Sequence, residues 1–138
     1  MIGRSAVLAL SVLVSTYASP RGGVRTVFGR WPSGAIAYER HYVGDLEEGM
    51  EIGRWEDGSV RFIYHYAHGV MVGVARDWDR KGQLYRETHY LNGREEGQQQ
   101  MWWPDGTLRA SYVVRDGRRY GLLGAKGCVS ADSTGADK

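Results

Sequence analysis

The chain has 138 residues, enough for one domain, with a formal net charge of +2 and 25% of its residues charged. Basic and acidic side chains alternate closely, as in Arg54-Trp55-Glu56-Asp57 and Arg76-Asp77-Trp78-Asp79-Arg80, which argues against the clustered basic face of a nucleic-acid binder. A single cysteine, Cys128, excludes an internal disulfide framework and leaves a free thiol, an intermolecular bridge or a metal ligand as its roles.

The N-terminus reads as a targeting signal. Met1 to Arg4 is a short positive segment, Ala6 to Val14 is apolar apart from Ser11, and Thr16-Tyr17-Ala18 supplies a small residue at a cleavage point. The apolar run is shorter than the ~20 residues that span a bilayer. Residues 1–18 are therefore expected to be a signal peptide cut near Ala18, and the mature protein to be secreted or periplasmic.

From Val24 onward the chain repeats. Gly34, Gly58, Gly82 and Gly106 recur with a step of 24 residues, as do Gly49, Gly73, Gly97 and Gly121, and also Gly69, Gly93 and Gly117. Before the first glycine of each unit stand turn formers, as in Pro32-Ser33-Gly34 and Pro104-Asp105-Gly106, because glycine accepts positive φ without penalty. Tryptophan precedes the turn by three or four residues, as Trp31, Trp55, Trp78 and Trp102-Trp103. Val24 to Trp31 reads as the second strand of a missing earlier unit.

After each turn comes a period-two alternation that predicts a half-buried strand. One side carries Ile36, Tyr38, Arg40 and Tyr42, then Val60, Phe62, Tyr64 and Tyr66, then Leu84, Arg86, Thr88 and Tyr90, then Leu108, Ala110, Tyr112 and Val114. Arg40 and Arg86 are expected to cover apolar surface with their stems and to reach water with their guanidinium groups. The other side carries Glu39, Glu87, His41, His65 and His89. A second turn follows, as in Asn92-Gly93, and a shorter strand leads to the next tryptophan. Residues 24–127 form the repeat domain, and residues 128–138 are expected to be a disordered tail. The fold class is thus all-β: a single-layer antiparallel β-hairpin meander or solenoid of about four 24-residue repeats.

The pattern Tyr-x-Asn-Gly-x-x-x-Gly at Tyr90 to Gly97, followed by Trp-Trp-Pro-Asp-Gly-Thr-Leu at 102–108, resembles bacterial MORN-repeat-variant proteins over about residues 31 to 124. The resemblance implies consecutive hairpins in a long twisted sheet, an antitoxin- or immunity-type association, and no shared catalytic residues. Independently, the chain lacks Gly-x-Ser-x-Gly, a phosphate loop, Cys-x-x-Cys and His-Glu-x-x-His, so no enzymatic activity and no cofactor are expected.

A thin sheet leaves an amphipathic aromatic strip, which marks a partner site. The candidate binding residues are Tyr38, Phe62, Tyr64, Tyr66, Tyr90 and Tyr112. His41, His65 and His89 form a ladder, but equivalent strands of successive hairpins lie ~9.6 Å apart, too far for ligands to share one ion with bonds of ~2 Å. The expected function is protein–protein interaction, through the aromatic strip or an edge strand, with homodimerisation through the aromatic face as a further option. The alternative is an envelope glycan or lipid-headgroup binder that stacks its rings on the ligand. Cys128, alone or with a histidine such as His89, is the remaining candidate.

Overall fold

The computed structural model of the chain describes residues 15–17 and 23–122. The rest of the expected signal segment, Cys128 and the expected tail lie outside the described residues. The described chain is all-β. Its strands are β1 (Ser15–Tyr17), β2 (Val24–Arg30), β3 (Ile36–Val43), β4 (Leu46–Glu47), β5 (Gly49–Arg54), β6 (Val60–Ala67), β7 (Val70–Met71), β8 (Gly73–Trp78), β9 (Leu84–Leu91), β10 (Arg94–Trp102), β11 (Leu108–Arg115) and β12 (Arg118–Leu122). They form one open antiparallel sheet in the order β1-β2-β3-β5-β6-β8-β9-β10-β11-β12, with β4 on β3 and β7 on β6. Strand β1 falls inside the segment expected to be a signal peptide and pairs with β2, Thr16 opposite Val27.

Two kinds of turn alternate along the chain, and each follows from local residue chemistry. At one end of the sheet the loop opens at Trp31, Trp55, Asp79 and Trp103, whose N–H groups donate to Ala35, Ser59, Gln83 and Thr107 at 2.8–2.9 Å. Gly34, Gly58, Gly82 and Gly106 close these loops at φ +79° to +89°, a region closed to most side chains. The Asp57 and Asp105 carboxylates accept the Ser59 and Thr107 N–H groups at 2.9 Å, fastening the loop from inside. This register explains why the tryptophan stands three residues before the glycine in some units and four in another: Asp79 takes the place of Trp31, Trp55 and Trp103. Trp78 stands one residue earlier, where the other units have Arg30, Arg54 and Trp102.

At the other end are two-residue tips. His68-Gly69, Asn92-Gly93 and Asp116-Gly117 have positive φ at both positions, the backbone of a tight hairpin that matches strand twist. Gly49, Gly73 and Gly97 serve a different purpose from the one their spacing suggests. They stand past the tip, where the register slips between Tyr42↔Glu47 and Glu39↔Ile52, and likewise in the next two units. Each is a left-handed residue in a bulge, which bends the strand and increases its twist.

Every buried residue among the described ones lies on one face of this sheet: Val27, Gly29, Glu51, Gly53, Ala75, Asp77, Thr88, Gln99, Tyr112 and Val114. The cross-strand pairs Gly29↔Tyr38↔Gly53↔Phe62↔Asp77↔Arg86 and Val27↔Arg40, Glu51↔Tyr64, Ala75↔Thr88, Gln99↔Tyr112 define it. We call it the inner face. A lone sheet has no second layer to cover it, so this face is shielded by its own side chains across a bent surface.

Candidate functional site

The inner face holds all six aromatic residues predicted from the sequence. Tyr38, Phe62, Tyr64, Tyr66 and Tyr90 are half-buried, and Tyr112 is buried. Phe62 stacks on Tyr64 with ring centroids 4.5 Å apart. The Tyr38 ring lies against the backbone of Gly29, and the Phe62 ring against Gly53, in the space a Cβ would need. Both glycines are extended, so the requirement is close approach, not φ. In the third hairpin the same two places hold Asp77 and Arg86, and in the fourth Met101 and Ala110. Ring over glycine, cation over anion and thioether over methyl fill equivalent sites by three different chemistries.

The inner face is also ionic. Arg40 Nε donates to Glu51 Oε1 at 2.6 Å and Arg86 Nε to Asp77 Oδ2 at 2.8 Å, with Glu51 4% and Asp77 5% exposed. Tyr64 completes the second pair by donating its hydroxyl to Asp77 Oδ1 at 2.7 Å. The two arginines therefore do not simply snorkel to water, as the alternation had led us to expect; each neutralises a carboxylate that burial would otherwise penalise heavily. Burial disfavours the Arg40 cation, and its bond to Glu51 outweighs that, raising its pKa; for Arg86 the bond to Asp77 dominates in the same direction. Burial, reinforced by Asp77, raises the Tyr64 phenol above its usual range. Tyr66 is pushed up to about 12, by burial first and the nearby Glu51 charge second. Tyr90 is raised by burial.

Tyr42, Tyr66 and Tyr90 occupy one position in successive hairpins, each half-buried and each nearer the tip than the buried pairs. They form a row of phenols along the inner face. Arg25 lies over the Tyr42 ring at 4.6 Å and Arg40 over Tyr38 at 4.7 Å. At the loop end, Arg61 and Arg80 both lie over Trp55, at 4.8 and 4.6 Å, and Arg109 over Trp103 at 4.7 Å. Several aromatic faces are thus occupied by guanidinium groups of the chain itself.

The opposite, outer face carries the histidines in β3, β6 and β9, with β5 and β8 between them. His41 pairs with Thr26 Oγ1 at 3.0 Å and lies 3.4 Å from Glu39. His89 lies 3.5 Å from Glu87, whose other oxygen accepts from Arg76 at 2.7 Å. Burial opposes ionisation of Glu87, but Arg76 and then His89 bring its pKa below the ordinary value. His65 stands opposite Met50. Among the described residues no three metal-ligating side chains gather at one point.

Sequence reasoning missed Glu51, Asp77 and Gln99, the polar residues at the centre of the buried face. The usable signal was pairing across the loop: Asp77 and Arg86 stand where Gly53 and Phe62 stand one unit earlier. No family model matches the chain, and neither a curated protein nor a solved structure matches it.

Proposed function

We propose that the protein is a repeat-type binding scaffold, built from about four 24-residue hairpin units of the MORN-variant kind, that works by holding another protein. The observation that carries this reading is the row Tyr42, Tyr66 and Tyr90: the same half-exposed phenol presented in each of three successive hairpins, two strands apart, with Val114 at that place in the fourth. Tyrosine offers a protein partner a large apolar area and a hydroxyl while losing few rotamers. Next to the row lie the arginines Arg40 and Arg86, 38% and 42% exposed, whose outward N–H groups remain available to a partner's acceptors. The resemblance to antitoxin-associated repeat proteins makes an immunity-type partner in the cell envelope the first class to test, in keeping with the signal-like residues 1–18. A glycan that stacks on open rings fits less well, since Arg25, Arg40, Arg61, Arg80 and Arg109 lie over the rings such a ligand would use.

The test is affinity capture from envelope extract. Wild-type protein should recover a stoichiometric protein partner, and Tyr66→Ala or Tyr90→Ala should reduce recovery several-fold more than Glu87→Ala on the opposite face. Equal losses from both faces would remove the aromatic row as the site. Retention on polysaccharide or liposomes with no protein recovered would replace the reading with the glycan or lipid one.

A further inference from the structure

A second surface lies at the hairpin tips. Val24, Val43, Leu46, Val70, Leu91 and Tyr120 are all exposed, Leu46 at 50% and Leu91 at 58%. Their pairings put them on the outer face: Val24↔Val43↔Leu46, Val70↔Ala67, Leu91↔Arg94 and Tyr120↔Val113. Leu46 and Val70 also lie against neighbouring tips. Leu46 covers Gly69, the next tip, with its Cδ2 3.2 Å from where a Cβ would stand, and Val70 covers Gly93 at 3.7 Å. Gly69 N–H donates to Glu47 O and Gly93 N–H to Met71 O, both at 2.9 Å, so the first three tips are locked side by side. Leu46 and Val70 make an apolar ridge that runs from the first tip toward the third. Between the third and fourth tips the surface falls into a recess of about 520 Å³, with Leu91 at its apolar rim and Asn92, Arg94, Glu95, Glu96 and Asp116 on its polar walls.

Charge along this margin is polarised. The first tip carries Asp45 and Glu48; the second has only His68; the third carries Arg94 and Glu96; the fourth carries Arg115 and Arg118 against Asp116. Glu47 and Arg119 pair with Tyr42 and Val114 and belong to the inner face. Acidic and basic ends are on the order of 30 Å apart, six strand spacings.

The geometry points to a second copy of this chain as the occupant, docked tip-to-tip about a two-fold axis between the second and third tips. That axis sets the first tip against the partner's fourth and the second against the partner's third. The ridge of Leu46 and Val70 then meets the partner's Leu91 at the rim of its recess, and Asp45 meets the partner's Arg118. Each contact occurs twice, as an isologous interface requires. An arrangement without the end-to-end reversal would oppose acid to acid and leave ridge against ridge. The dimer uses the outer margin and leaves the tyrosine row of both copies open, so it stands or falls separately from the scaffold reading.

Sedimentation equilibrium of the full chain tests it. A concentration-dependent dimer is expected, weakened by salt as the charged ends are screened. Leu46→Asp and Val70→Asp should each raise the dimer Kd about tenfold or more, because the interface would bury an unpaired carboxylate. Both sites are exposed in the single chain, so circular dichroism and the unfolding midpoint should not move. Arg118→Glu and Asp45→Arg should each abolish the dimer alone and restore it when mixed, since the mixed pair has opposite charges at both contacts. A wild-type chain that is monomeric at every concentration overturns the proposal. So does a dimer that survives both ridge substitutions, or a charge-swapped mixture that stays monomeric.

Discussion

Asp77 is the residue on which the inner face turns. Its two carboxylate oxygens are held separately, one by Arg86 and the other by Tyr64, at a position where the preceding units have glycine. A buried acid held on both oxygens is stable only as a complete set. Asp77→Ala should therefore lower unfolding stability by about 2 kcal/mol, the cost of leaving the Arg86 and Tyr64 donors under-satisfied. Urea unfolding of the single and paired variants measures it. Asp77→Met combined with Arg86→Ala should recover part of the loss, because the pair then matches Met101 and Ala110 in the last hairpin. If Asp77→Ala is neutral, the triad contributes nothing and the inner face is held by its rings alone. Gly53 shows the converse constraint, since the Phe62 ring fills the place of any side chain there.

At the scale of the hairpin, the tips differ in how well their residues suit the backbone. Asn92 and Asp116 tolerate a left-handed conformation, but His68 holds φ +51° in the same place with a bulkier side chain. His68→Asn should stabilise the fold by about 0.5 kcal/mol, a fraction of the left-handed penalty, read as a rise in the urea midpoint with an unchanged slope. A destabilised variant would mean that the histidine ring makes a contact outweighing its backbone strain. Hairpin tips and loops were legible because they depend on a few adjacent residues: Asn-Gly and Asp-Gly announce themselves. The bulges at Gly49, Gly73 and Gly97 were not, because a bulge is defined by the partner strand's register, which no local pattern states. The one-residue offset of Trp78 was visible in the spacing from the glycine, and the loop hydrogen bonds of Asp79 give its reason. Strand β1 falls where a signal peptide was expected, the alternative for that segment being an element packed on the domain; cleavage near Ala18 would remove it and make β2 the edge of the sheet.

Over the whole molecule, the half-buried tyrosines couple folding to alkaline pH. Tyr64, Tyr66 and Tyr90 have raised pKa values in the fold, above the ordinary 10.0 that they regain on unfolding. Below the ordinary value both states keep the proton and stability is complete. As pH rises through it, the unfolded chain gives up these protons first and stability falls toward the folded values. Phenolate absorbance should show late titration that is lost in Tyr64→Phe, Tyr66→Phe and Tyr90→Phe variants, together with a urea midpoint that drops as pH rises. Absence of any late-titrating tyrosine would contradict the burial described. Glu87 acts with the opposite sign at the acid end. Its lowered pKa contributes stability above the ordinary 4.5 that is lost as pH falls, and the contribution is small because Arg76 is 44% exposed.

The amino-acid sequence alone determined the period, the hairpins, the alternation and the membership of each face, because turn conformation and side-chain alternation are properties of neighbouring residues. It did not show what else the closed face would hold. Alternation defines two faces and prefers the more aromatic one, yet Glu51 and Asp77 stand at the bottom of that face, while Val43, Leu46 and Leu91 stand in water on the other. Only tertiary structure decided this, since a carboxylate can be buried only where an arginine from a neighbouring strand meets it, and an apolar tip is covered only if something packs on it. The tyrosine row was therefore visible from the spacing. The ridge, the recess and their opposed charges became visible only when the tips were seen side by side.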